Sequence, residues 1–312
     1  MSLSLTGKTA VITGSGAGLG AAYARALAQA GASVVVNDVS ADAADATVAA
    51  ITADGGTAVA VAAPVGPAET AQALVDTAVT AFGGLDILVT NAGVLRDRSL
   101  LKMTDEDFDL VIQVHLRGTF TCARAAATYF REHAVPGRII AIGSPAGQRG
   151  NFGQTNYAAA KAGIVGMVRT WALELKRAGV TVNAVIPVAA TAMTRTMPYF
   201  AAAVAASDAG APIPDFYRKT LGFGTAHDAA GLIVYLASDE SAGITGQAIG
   251  VGGDRIQLWT HPEPLQSWYH DGGWGPDDIV AQLAPALRDS LQAIGEDFPP
   301  LPADLARPAE QA

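Results

Sequence analysis

Short apolar runs recur along the chain at 9–13, 33–37, 58–62, 85–90, 138–142, 180–186 and 247–251, separated by alanine-rich stretches long enough for helices. Runs of this length without polar alternation read as buried strands, and strands alternating with helices predict a parallel sheet covered on both faces. The expected fold is α/β, a doubly wound parallel sheet in a single domain over 1–255. Ligands of such sheets bind outside the carboxyl ends of the strands. Candidate chemistry is therefore sought in the residues that follow each run.

Two segments break the pattern. Residues 191–225 set Met193, Met197, Tyr199, Phe200, Phe216 and Tyr217 among alanines in a stretch long for a connection. A lid over a site is expected there, with a packed pair of surface helices as the other reading. Residues 256–312 hold three of the chain's four tryptophans, Trp259, Trp268 and Trp274, and the run Phe298-Pro299-Pro300. Exposed aromatics are costly unless covered. This C-terminal extension is expected to pack on the core or on a neighbouring subunit, with a wall of the substrate pocket as the alternative.

The first run leads at once into Gly14-Ser15-Gly16-Ala17-Gly18-Leu19-Gly20, and a helical stretch stopped by Gly31 follows. Strand, glycine turn and helix form the context in which glycines let backbone N–H groups approach a pyrophosphate. The second run ends at Asp38, about 20 residues beyond the glycines, where a carboxylate can accept hydrogen bonds from a ribose diol. It would also repel a 2′-phosphate, so NAD is favoured over NADP.

Tyr157 and Lys161 stand four residues apart and so share a helical face. An ammonium near a phenol favours the phenolate and draws the tyrosine toward acid–base work. Ser144, thirteen residues earlier, offers a hydroxyl for a substrate oxygen. Alone, a Tyr-x-x-x-Lys pair is more often a tyrosine stacked over a lysine on a solvated face. Its company here changes the weighting.

Thr13-Gly14-x-x-x-Gly18-x-Gly20, Asn91-Ala92-Gly93, Ser144 and Tyr157-x-x-x-Lys161 together resemble the short-chain dehydrogenase/reductase family over about residues 5 to 255. Within it, Val35-Val36-Asn37-Asp38, Val114-His115-Leu116-Arg117-Gly118, Gly150-Asn151-Phe152-Gly153-Gln154-Thr155-Asn156-Tyr157 and Met193-Thr194 resemble the (3R)-hydroxyacyl-CoA dehydrogenase units of peroxisomal multifunctional enzymes of type 2, also called 17β-hydroxysteroid dehydrogenases of type 4. The resemblance implies a Rossmann-type fold, NAD as cofactor, and a homodimer or homotetramer. It puts the pyrophosphate at Gly14, Gly18, Leu19 and Gly20, the ribose on Asp38 and the adenine at Val65. Asn91 and Gly93 would line the cleft, and Pro187, Val188 and Thr191 would lie near the nicotinamide. Ser144 would hold the substrate hydroxyl and Tyr157 would move its proton. Lys161 would lower the Tyr157 pKa and bind the nicotinamide ribose.

Three positions depart from the family pattern. His115 stands where an Asn is usual in the proton relay, a role that a backbone carbonyl and a water could still fill; a packing histidine is the other reading. Pro64-Val65 replaces Asp-Val, and Pro187-Val188 replaces Pro-Gly. The implied reaction oxidises a (3R)-3-hydroxyacyl-CoA to the 3-oxoacyl-CoA. A hydroxysteroid or other bulky secondary alcohol is the alternative, and a non-catalytic NAD-binding protein is a third reading that intact Ser144, Tyr157 and Lys161 oppose. Carrier phosphates would look to Arg96, Arg98, Lys102, Arg149 and Arg195.

The net charge of −9 argues against nucleic acid, whose phosphates require clustered Lys and Arg. A lone cysteine, Cys122, forbids an intrachain disulfide and suits a reducing compartment. No apolar run approaches the ~20 residues of a membrane span, and neither a signal core nor a peroxisomal C-terminus is seen, so a cytoplasmic location is expected. His261 and His270 lack the companions of a metal site. Gly143-Ser144-Pro145-Ala146-Gly147 lacks the spacing of a hydrolase nucleophile.

Overall fold

Each apolar run forms a strand: β1 (Thr9–Thr13), β2 (Ser33–Asp38), β3 (Thr57–Ala62), β4 (Ile87–Thr90), β5 (Arg138–Ile142), β6 (Thr181–Pro187) and β7 (Ala248–Gly252). The computed structural model describes residues 3–190, 194 and 197–305. The sheet runs in the order β3-β2-β1-β4-β5-β6-β7-β8. All pairs are parallel except the last, in which β8 (Arg255–Leu258) lies antiparallel to β7. This edge strand has no counterpart among the sequence expectations, because Ile256 and Leu258 are exposed and the run is too short and polar to stand out.

Side-chain alternation sorts the strand residues onto two faces. Ile12, Val34, Val36, Val89 and Ile140 enter one core with α1 (Gly18–Gln29) and α2 (Ala41–Ala53). Val11, Val35, Leu88, Ile139 and Ala141 enter the other, beneath α3 (Ala68–Phe82). Burial on both sides explains why the strands read as unbroken apolar runs. Next come α4 (Asp105–Val111), a π-helical stretch over Ile112–Arg117 and α5 (Gly118–Glu132), which follow one another without a break. Then α6 (Ala146–Arg149) and α7 (Thr155–Glu174) follow β5. Caps set several helix ends: Ser40 accepts from Ala43 N–H at 3.3 Å and Thr104 from Asp107 N–H at 3.1 Å. Gly83, at φ +86°, stops α3 in the left-handed conformation.

Beyond β6 the chain forms α8 (Ala201–Asp208), a second π-helical turn over Phe216–Leu221 and α9 (Ala230–Ala237). A third core joins Phe200, Tyr217, Leu221 and Phe223, and Phe298, Leu301 and Leu305 of the extension pack against it. Thr191, Met193 and Arg195 lie outside the described residues. Cys122 is buried, and burial pushes its thiol up to about 12. Among the described residues no helix is long and apolar enough to cross a membrane.

Candidate active site

At the switch point β1 has β2 on one side and β4 on the other, and the glycine turn leaves between them. Gly14 sits at φ +62°, and a Cβ there would lie 2.5 Å from Ala92 Cα. At Gly20 a Cβ would lie 2.2 Å from the Gly14 carbonyl oxygen. Only glycine fits these two positions. Asn91 holds the turn closed, donating from Nδ2 to the carbonyls of Thr13 at 3.1 Å and Gly14 at 2.8 Å. Helix α1 begins here with no side-chain cap. Its first N–H groups, at Gly18, Leu19 and Gly20, are left for an anion. Asp38 stands across the turn, its carboxylate accepting from Gly16 N–H at 3.0 Å and Ser40 N–H at 3.1 Å.

The reacting side chains approach from β5 and α7. Ser144 follows β5, and its Oγ accepts from Ala146 N–H at 3.2 Å. Its hydroxyl stands close enough to the Tyr157 phenol to draw the phenol's pKa down. Lys161, one turn along α7, is buried and donates from Nζ to the Ile142 carbonyl at 2.6 Å. Nζ lies 5.6 Å from the centroid of the Tyr157 ring. The electrostatics differ from the sequence expectation. Burial raises the Tyr157 phenol above its ordinary range, the nearby Ser144 hydroxyl pulls it down, and the Asp97 charge pushes it up. Burial brings Lys161 itself down to about 7, so the lysine has lost its charge by the pH at which an unliganded phenol would titrate.

His115 sits in the π-helical stretch, 1% exposed, with its ring edge-on to Tyr157 at 5.1 Å. Its Nε2 lies 3.0 Å from Val94 N and 2.8 Å from Val94 O, and Nδ1 has no partner. Burial and the Lys161 charge drive its pKa down to about 3, so the ring is neutral. A side chain at Gly93 would strike this ring, since a Cβ would lie 2.3 Å from its Cε1.

One cleft of about 1760 Å³ is lined by Gly14, Gly18, Leu19, Gly20, Asp38 and Val65 at one end. Asn91, Gly93, His115, Ser144, Tyr157 and Lys161 line its middle, with Pro187 and Val188 beyond them. Thr191 lies outside the described residues. The Val188 backbone is already engaged, its N–H donating to Val251 O at 2.9 Å and its carbonyl accepting from Gly224 N–H at 3.4 Å.

Asn156 was not singled out from the sequence as a site residue. It is fully buried, and its Nδ2 donates to the carbonyls of Arg96 at 3.1 Å and Asp107 at 3.0 Å. Its Oδ1 accepts from Tyr157 N–H at 2.7 Å. One amide thus ties α7, at the residue that bears the phenol, to the cleft-lining loop after β4. The sequence signal was its place in the string Gly150 to Tyr157 that carries the resemblance, as a polar residue on the turn that bears the phenol. Arg149, expected for carrier phosphates, lines the cleft, as do Trp259 and Phe298 of the extension, whose alternative reading is a pocket wall; Ile294 also lines it and was not singled out from the sequence.

The family model described as enoyl-(acyl carrier protein) reductase matches residues 14–253. The chain is 42% identical over 291 residues to hydroxyacyl-CoA dehydrogenase ChsB1 of Mycobacterium tuberculosis, covering 89% of this chain and 88% of that protein. It is 38% identical over 254 residues to the 3-oxoacyl-(acyl-carrier-protein) reductase FabG of Thermotoga maritima, covering 81% and 99%. It is 44% identical over 204 residues to the peroxisomal multifunctional enzyme type 2 of Mus musculus, covering 62% of this chain and 27% of that longer protein. A crystal structure of a short chain dehydrogenase from Mycobacterium avium superposes with a TM-score of 0.78 at 36% identity, covering 95% of this chain and 98% of that one. With the doubly wound sheet, the glycine turn and the Ser144, Tyr157 and Lys161 grouping in one cleft, these similarities make the chain an oxidoreductase of the short-chain dehydrogenase/reductase family, acting on CH–OH groups.

Proposed function

We propose that the protein is an NAD-dependent dehydrogenase that interconverts (3R)-3-hydroxyacyl-CoA and 3-oxoacyl-CoA. The observation that carries the chemistry is that Ser144, Tyr157 and buried Lys161 line one cleft, with Lys161 Nζ 5.6 Å from the Tyr157 ring and Ser144 drawing the phenol's pKa down. The names of the hydroxyacyl-CoA and 3-oxoacyl relatives support the substrate class. A hydroxysteroid or other bulky secondary alcohol is the second reading, favoured by the width of a cleft of about 1760 Å³.

The residues present fit a dinucleotide. The uncapped start of α1 suits a pyrophosphate, Gly14 and Gly20 leave no room for side chains, and Asp38 suits a ribose diol while repelling a 2′-phosphate. A bound nicotinamide supplies the hydride acceptor or donor. In the oxidative direction Ser144 would hold the substrate oxygen, and Tyr157 would take its proton as the carbonyl forms, having passed its own phenolic proton on toward Lys161. Lys161, with a pKa near 7, can accept or release a proton at working pH and would hold the nicotinamide ribose. Released protons would pass along the nicotinamide ribose and Lys161 to a water held near His115. We place the enzyme in the cytoplasm as a homodimer or homotetramer; the buried free thiol of Cys122 suits a reducing compartment.

The test is NAD reduction followed spectroscopically against both isomers of a 3-hydroxyacyl-CoA, a hydroxysteroid and a simple secondary alcohol. Preferred turnover of the R thioester supports the reading. Preference for the S isomer, or turnover of the sterol alone, removes it in favour of the second.

A further inference from the structure

The matched family region stops at residue 253, yet the cleft does not. Gln292, Ala293, Ile294, Glu296, Phe298 and Pro299 line the same cleft as Ser144 and Tyr157. The strand of chain that carries them is tied on both sides of the opening. Gly295 N–H donates to the Arg149 carbonyl at 2.8 Å, just beyond the segment that bears Ser144. At the other end Tyr199 Oη donates to the Pro299 carbonyl at 2.6 Å. Phe298 stacks on Tyr199 at 4.8 Å and meets Phe200 edge-on at 5.5 Å. Residues 292–299 therefore bridge the loop after Ser144 and the segment before α8.

Ile294 is the unusual member of this bridge. It lines the cleft and is 93% exposed, while its neighbour Gly295 is pinned by the main-chain hydrogen bond. A branched apolar side chain held at the rim of a reaction cleft is stabilised when an apolar ligand covers it. We infer that residues 292–299 are the selecting wall of the substrate site, with Ile294 at the rim and Phe298 behind it, and that the wall favours secondary alcohols carrying an extended apolar body over short ones. For a thioester substrate the inference rests on the proposed function; for alcohols at large it rests only on the dehydrogenase family.

Two substrate series of matched chain length separate these cases: (3R)-3-hydroxyacyl-CoAs and unesterified secondary alcohols. kcat/KM with NAD is measured along each for the full-length protein, for Ile294→Asp and, as a control, for Leu291→Asp, an exposed tail residue outside the cleft lining. Wild type should favour the longer members of whichever series it turns over. Ile294→Asp should flatten the long-to-short ratio by about tenfold, the scale set by a few methylene contacts, and Leu291→Asp should keep the wild-type ratio. Phe298→Leu, which stays apolar against Tyr199, should shift the ratio in the same direction as Ile294→Asp. An unchanged ratio in Ile294→Asp, or an equal loss in Leu291→Asp, overturns the wall. Turnover confined to the alcohols, with the ratio flattened, keeps the wall and removes the thioester.

Discussion

Lys161 Nζ lies 5.6 Å from the centre of the Tyr157 ring, but its hydrogen bond goes to the Ile142 carbonyl. The two side chains share a helical face, and burial sets how each titrates. Because the folded pKa of Lys161, about 7, lies below its ordinary 10.5, the unfolded chain holds the extra proton between those values. The Lys161 penalty is thus fully present below pH 7 and fades as pH rises toward 10.5. Lys161→Met should be more stable than wild type at pH 6, with the gap narrowing by pH 10, as read from urea denaturation across that range.

Tyr157→Phe keeps the ring beside His115 and removes only the hydroxyl. Turnover should fall about 10²- to 10⁴-fold, while NAD affinity measured by calorimetry stays near wild type. Retention of the wild-type rate would remove the role proposed for the phenol.

Asp38→Ala removes a carboxylate that also fixes Gly16 and Ser40. NAD binding should weaken as the ribose and turn bonds are lost, and NADP binding should gain relative to it as repulsion disappears. The ratio of the two dissociation constants should therefore shift toward NADP by about tenfold or more, on the scale of a hydrogen bond to a charged group.

His115 titrates at about 3 in the folded protein against an ordinary 6.5. Stability is full above pH 6.5 and is lost as pH falls toward 3, by on the order of 4 to 5 kcal/mol from this residue. His115→Asn, which cannot take up that proton, should flatten the stability profile across this window in denaturation experiments at stepped pH.

Asn156→Asp would turn two donated hydrogen bonds into a carboxylate facing the carbonyls of Arg96 and Asp107. A loss of about 2 to 4 kcal/mol is expected, since buried acceptors are left unpaired beside a charge. If the amide also positions Tyr157, kcat should fall more than substrate KM rises, and Asn156→Ala should do less harm than Asn156→Asp.

Local spacing determined much of this protein. Unbroken apolar runs such as Ala10 to Ile12 and Val34 to Val36 marked strands buried on both faces, so the two-sided sheet was legible locally, while the assignment of each residue to one core or the other came from the fold. Glycines at 14 and 20 and the four-residue step from Tyr157 to Lys161 are likewise local, because turns and helices set their geometry within a few residues. Tertiary structure decided what depends on distant neighbours. Whether the Tyr157 pKa goes up or down is a balance among burial, Ser144 and Asp97, none of which helical spacing supplies. The partners of Asn156 lie 60 and 49 residues away, and Tyr199 meets Pro299 across 100. Desolvation and long-range contacts depend on which segments the whole fold brings together, so no window of sequence around a single residue carries them.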